Sequence, residues 1–211
     1  MVGVFVWLKN DEVLVGPCVK AVKEVFPEVE VYDLGSTDDS VSIVESLGVK
    51  VHKLGALDPK EYIVAKREIH SGFDYVFNVD ADEIYPKDAL TFIKGSISDG
   101  PARINGYWKM LKQVDGDLYV SSPRFTGEIA WDTRYFELRR VWPNETLMAI
   151  GGEAAYRRMP QITDSSIFCW HGVLLNRSKV RSLAREQKKM RRTEQFKDLS
   201  WEKIEHLPWK D

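Results

Sequence analysis

The feature that most constrains this chain is the alternation, from Val2 to about Ile97, of short β-branched runs with helix-patterned stretches. Such alternation specifies a sheet with crossover helices, because parallel strands need a long connection and a helix is the usual one. Val2–Trp7 reads as a first strand, and Val13–Phe26 as a helix, with Val15, Val19, Val22 and Phe26 spaced by three and four. Pro27 ends it. Val29–Leu34 reads as a second strand, followed by Gly35-Ser36-Thr37-Asp38-Asp39, where Ser36 or Thr37 is expected to cap a helix running to Leu47 and stopped by Gly48. Val49–Leu54 follows as a third strand, Pro59–Ser71 as a helix opened by its proline, and Tyr75–Val79 as a fourth strand. Pro86 starts the next helix.

After Pro101 the pattern changes. Ile104–Trp108, Asp117–Val120, Arg134–Trp142 and Thr146–Ile150 read as strands, with Asp115-Gly116 and Pro143-Asn144 as turns, which implies an antiparallel extension. Residues 176 to about 196 form a basic amphipathic stretch with eight cationic side chains between Arg177 and Arg192. The expected class is α/β: a mixed, Rossmann-like central sheet flanked by helices, an antiparallel extension and a C-terminal basic helix. A single domain is expected, in three parts: the alternating half at 1–100, the antiparallel half at 101–175 and a helical extension at 176–211.

Composition narrows the class of partner. With 30 basic and 32 acidic residues the formal net charge is −2, so no global field marks a nucleic-acid or membrane-surface binder. Only the 176–196 stretch offers local contact to a polyanion. Cys18 and Cys169 lack metal-knuckle spacing, Val2–Leu8 is too short to be a signal core or a span, and a cytoplasmic setting without a transmembrane segment is expected.

Chemistry concentrates at strand ends. Asp80, Asp82 and Glu83 follow the Tyr75–Val79 strand at its carboxyl end, where α/β sheets bind ligands. Carboxylates two apart suit one hard divalent cation bridging diphosphate oxygens, although acidic residues there also serve simply to cap the next helix. Asp33 ends the second strand, as a nucleobase acceptor or a plain turn residue. His171 follows Ile167-Phe168-Cys169-Trp170 and offers a nitrogen ligand. Trp108, Trp131, Tyr135 and Trp142 are rings that either stack on a sugar or base or fill core.

Asn10-Asp11-Glu12, Asp33 through Ser40, Ala65-Lys66-Arg67 and Val79-Asp80-Ala81-Asp82-Glu83 together resemble, in order and spacing, the family 2 inverting glycosyltransferases. Leu138 to Trp142, Gly152-Glu153 and Trp170-His171-Gly172 are similar to later segments of small members. The resemblance implies a GT-A fold and a nucleoside diphosphate sugar donor, a UDP-sugar first. By the same resemblance Asp33 holds the base, with Ser36 beside it, and Arg67 lies near base or diphosphate. Asp80 contacts ribose or metal-bound water, and Asp82 and His171 bind Mn²⁺ or Mg²⁺. Glu153 is the first choice for the general base, Asp132 the second and Glu137 the third. The sequence departs from the family where Gly152 replaces a His and Glu68 an Asn. The acceptors implied are a saccharide, a glycolipid or a hydroxylated DNA base. A nucleotidyltransferase and a non-catalytic sugar- or nucleic-acid-binding module are the alternatives.

Overall fold

The computed structural model describes residues 1–100, 102–141, 144–150, 158–175 and 199–209. Its first half is the expected parallel sheet, with β1 (Val2–Leu8), β2 (Glu30–Asp33), β3 (Val51–Lys53) and β4 (Tyr75–Asp80) side by side in the order β3-β2-β1-β4. The connections are α1 (Val15–Val25), α2 (Ser40–Ser46) and α3 (Pro59–His70), and α4 (Lys87–Ser98) follows the short β5 (Glu83–Ile84).

β1 shows why its run is apolar on both sides of the pleat. Val4, Val6 and Leu8 enter a core cluster with Leu14, Val15, Cys18, Val19 and Val22 around α1, Val44 of α2 and Leu90 and Ile93 of α4. The intervening Phe5 and Trp7 enter a second cluster with Tyr32, Val76, Trp131 and Phe136, against which Tyr62 and Ile69 of α3 pack. Both faces of a parallel sheet are covered, so neither set of alternate residues is free to be polar.

The sheet continues through antiparallel strands. β8 (Arg124–Asp132) pairs with β4, and β6 (Arg103–Val114) pairs with β8, followed outward by β7 (Asp117–Ser121) and β12 (Trp201–Ile204). β11 (Gln161–Leu174) lies parallel to β6 and carries β5 on its other side, completing a ten-stranded sheet. A separate hairpin of β9 (Phe136–Val141) and β10 (Asn144–Ala149) lies against α3. Asp115 and Gly116, with φ of 50° and 90°, form the expected two-residue turn between β6 and β7, as left-handed residues suit the twist of a hairpin.

Two readings are corrected. β8, which pairs with both β4 and β6, is absent from the sequence reading, as are β5 and β12. Ser36 and Thr37 do not cap α2: the helix begins at Ser40 with Asp39 at its N-cap. Of the two readings of Trp131, the core one holds: it is a buried member of the second cluster. α3 shows stronger capping than its proline alone indicates: Asp58 accepts from the Lys60 and Glu61 N–H groups at 2.6 and 2.9 Å, and Glu61 accepts from the Asp58 N–H.

Among the described residues no helix is long and apolar enough to cross a membrane. The stretch 176–198, which holds the expected basic helix, lies outside them.

Candidate active site

The carboxyl ends of β1, β2 and β4 meet at one edge of the sheet. Leu8 pairs with Asp33, and Trp7 with Asp80, so the two acidic strand ends flank the end of β1. Asp33 is buried and accepts hydrogen bonds from the Gly35 N–H at 3.2 Å and the Ser36 N–H at 3.0 Å. It is thus the turn residue of the β2–α2 loop, and a carboxylate oxygen that accepts one hydrogen bond retains a lone pair for another. The Ser36 hydroxyl accepts from the Asn10 N–H at 2.9 Å, Asn10 Oδ1 accepts from the Thr37 N–H at 2.7 Å, and Ser40 Oγ accepts from the Asp11 N–H at 2.7 Å. These contacts lock the loops after β1 and β2 together, and Asn10 takes a left-handed φ of 53° to make them.

The acidic turn after β4 is braced on three sides. The Ala81 N–H donates to the Trp7 carbonyl at 3.0 Å. The Asp80 N–H donates to Glu83 Oε2 at 3.2 Å, and Trp108 Nε1–H donates to Glu83 Oε1 at 2.7 Å. The Gly172 N–H donates to the Asp82 carbonyl at 2.8 Å, next to the rung where His171 opposes Glu83. A Cβ on Gly172 would lie 2.2 Å from Leu14 Cδ1, so a larger residue there would displace the Leu14 side chain.

The result brings two widely separated side chains together. His171 Nε2 lies 3.8 Å from Asp82 Oδ2, and both side chains are less than a tenth exposed. Asp80, by contrast, is exposed at the rim. Burial, and then the charge of Asp80, push the Glu83 carboxyl up to about 8, against hydrogen bonds from the Asp80 N–H and Trp108 and the charge of Lys66.

Other expected residues lie on α3 and β8. Arg67 is half-exposed on α3, with Nη2 3.4 Å from Glu137 Oε2. Its neighbour Lys66 is the buried one, with its ammonium 4.7 Å from the Trp7 ring centroid and 4.6 Å from that of Tyr62. Lys66 enters the sequence analysis only within Ala65-Lys66-Arg67, without a role of its own, yet Ile63, Lys66 and His70 share the buried face of α3 at helical spacing, a signal present in the sequence. Asp132 is a correction. It pairs with Tyr75, at the start of β4, five residues from Asp80 and so roughly 16 Å away at ~3.3 Å per strand residue. It is buried there, and the Arg134 guanidinium donates to both its oxygens, at 3.0 and 2.5 Å. A proton acceptor for chemistry at Asp80 and Asp82 cannot sit at that end of the strand. Glu153 and Trp142 lie outside the described residues.

Behind the rim, Trp7 Nε1–H donates to Asn78 Oδ1 at 2.7 Å, and His70 Nε2 lies 3.1 Å from the same oxygen. Since the indole only donates, Oδ1 is the acceptor, and the His70 ring carries its proton on Nε2. Burial, with the charge of Lys66, lowers His70 to about 4, from an ordinary value of 6.5. The unfolded chain therefore takes up a proton below pH 6.5 that the folded one refuses. Stability is full at neutral pH and falls as pH drops from 6.5 towards 4, by about 3 kcal/mol from this group. In urea melts across that range His70→Gln should lose this part of the slope; parallel slopes for the two proteins would remove His70 as its source.

Among the described residues no three His, Cys, Asp or Glu side chains converge as a closed metal cage. Asp82 and His171 instead supply one carboxylate and one imidazole, an open donor set that suits an ion sharing its remaining positions with water and diphosphate oxygens.

The sequence profile of glycosyl transferase family 2 matches residues 4–161, well over half of the chain. The chain belongs to glycosyl transferase family 2. Its curated relatives include an uncharacterized glycosyltransferase of Rickettsia conorii, 34% identical over 90 residues that make up 41% of this chain and 30% of the relative. Another, from Rickettsia typhi, is 36% identical over 85 residues, 39% of this chain and 28% of that one. The match thus spans about a third of the length of these relatives. Among solved structures, glucosyl-3-phosphoglycerate synthase from Mycobacterium tuberculosis, in complex with Mn²⁺ and uridine-diphosphate-glucose, aligns at a TM-score of 0.39 and 17% identity, over 54% of this chain and 44% of that one. S. aureus TarS aligns at 0.39 and 23%, over 55% of this chain and 36% of that one. Within the family 2 match lie Asp33, Asp80 and Asp82, whereas His171 comes after its end.

Proposed function

We infer that this family 2 domain transfers a sugar, with inversion, from a nucleoside diphosphate sugar, a UDP-sugar first, to a hydroxyl of a saccharide or glycolipid acceptor. The observation that carries the reading is the approach of His171 to Asp82 at 3.8 Å, at the sheet edge where Asp33 and Asp80 also end their strands. Asp33 offers a carboxylate oxygen to a base N–H, and Asp80 at the rim faces solvent, within reach of ribose or a bound water. Asp82 and His171 would hold Mn²⁺ or Mg²⁺, which when bound neutralises charge on the leaving diphosphate.

The remaining work is proton transfer and exclusion of water. A carboxylate takes the proton of the acceptor hydroxyl as its oxygen bonds to the anomeric carbon, the bond from that carbon to the diphosphate oxygen breaks, and the configuration inverts. Glu153 is our choice for that carboxylate, on the family resemblance of the Gly152-Glu153 segment. The products are a glycoside and a nucleoside diphosphate. A nucleotidyltransferase would release pyrophosphate instead.

The test is a thermal-shift titration with UDP, with and without Mn²⁺. A ligand at a hundred times its Kd adds about 2.7 kcal/mol, or about 5–10 °C for a domain of this size. A shift that needs Mn²⁺ is expected, and Glu153→Gln should retain it while losing most transfer. A folded protein that shows no shift with UDP or any other nucleoside diphosphate would overturn the reading.

A further inference from the structure

We propose that Trp108 is a positioning residue for the ion-binding pair, holding the Asp80–Asp82 turn and His171 at their spacing through one indole ring. This rests on the transferase reading and names a residue to which neither the family resemblance nor the acidic motif gives that role.

Two independent contacts of the same side chain support it. Through its edge, Trp108 Nε1–H donates to Glu83 Oε1 at 2.7 Å, while Glu83 Oε2 accepts from the Asp80 N–H at 3.2 Å. Both oxygens of Glu83 thus hold protein hydrogen bonds, so the last acid of the Asp80-Ala81-Asp82-Glu83 motif braces the turn from behind. Through its face, the indole packs on His171, with ring centroids 4.6 Å apart and planes at 43°. Trp108 belongs to β6 and His171 to β11, which pair in parallel with Trp108 opposite Cys169 and Met110 opposite His171. The ring therefore ties β6 to His171 directly and to the Asp80–Asp82 turn through Glu83. A donor-only N–H cannot exchange roles with its acceptor, and a bulky flat ring restricts the rotation of the imidazole against it. Groups that orient metal ligands typically change metal affinity by about 10–100-fold when removed.

The experiment measures Mn²⁺ affinity in the presence of saturating UDP, from the electron paramagnetic resonance signal of free Mn²⁺. Trp108→Phe keeps a ring beside His171 but removes the donor. It should weaken Mn²⁺ binding about tenfold, leave the affinity for UDP alone unchanged, and raise the Mn²⁺ concentration that half-saturates transfer by the same factor. Glu83→Gln keeps an oxygen for Trp108 and loses the acceptor for the Asp80 N–H, so it should show a similar loss and serves if Trp108→Phe does not fold. Wild-type Mn²⁺ affinity in a folded variant would reduce Trp108 to a packing residue and overturn the proposal. Failure of the wild-type protein itself to bind Mn²⁺ with UDP would instead overturn the transferase reading, and this one with it.

Discussion

Asp82→Ala is expected to lower Mn²⁺-dependent sugar transfer by at least about 100-fold, because a bound ion contributes several kcal/mol to the departure of a diphosphate and this change removes the carboxylate proposed to hold it. The protein should stay folded. The backbone bond from the Gly172 N–H to the Asp82 carbonyl does not depend on the side chain, and neither does the rung between His171 and Glu83. We expect the melting temperature without ligand to move by less than about 4 °C, the equivalent of roughly 1 kcal/mol. Transfer assays with a Mn²⁺ titration, alongside thermal melts, separate the two effects. Retained activity at low Mn²⁺ would show that the ion is held elsewhere; a collapsed melt would show that Asp82 is a structural residue.

Phe77→Ala should produce the largest loss of stability, about 3–5 kcal/mol. Phe77 is fully buried in the middle of β4, with its ring 5.5 Å from that of Tyr85 and 5.7 Å from that of Phe26. Its removal leaves a cavity between the sheet and the helices on that face, and the parallel strands on one side and β8 on the other prevent β4 from closing it. Urea or thermal unfolding measures the effect, which corresponds to a fall of about 6–20 °C in Tm. A loss below 1 kcal/mol would mean that the site relaxes and that the packing around β4 is looser than the ring contacts indicate.

The first half of the fold was legible because its strands are apolar on both faces and its helices carry their own stops. The expected Val2–Trp7 and Tyr75–Val79 strands end within one residue of β1 and β4. β8 was not legible, and the reason lies in its pairing. The β6–β8 register shifts between Ile104 and Asn105 and again between Gly106 and Tyr107, and Gly127 has a φ of 104°, so the alternation that reveals a strand is broken where β8 crosses it. Asp132, second choice for the general base, is instead fixed by long-range pairing against the far end of β4. Asp82 and His171 were legible as separate strand-end residues. Their approach was not, because it depends on the two rungs between β5 and β11. Lys66 shows the opposite limit: its helical spacing marked it as inward-facing, but a charge on a helix is ordinarily read as solvated.

The tie between β5 and β11 also sets an order of events. A chain synthesised only through α4 carries Asp82 but not His171, so the open donor set is incomplete until β11 is laid beside β6. Closing a contact between residues 82 and 171 is among the costlier loop closures in this chain. An ion bound there would act as a clasp across that closure, so its dissociation should loosen β11 before it disturbs the parallel strands.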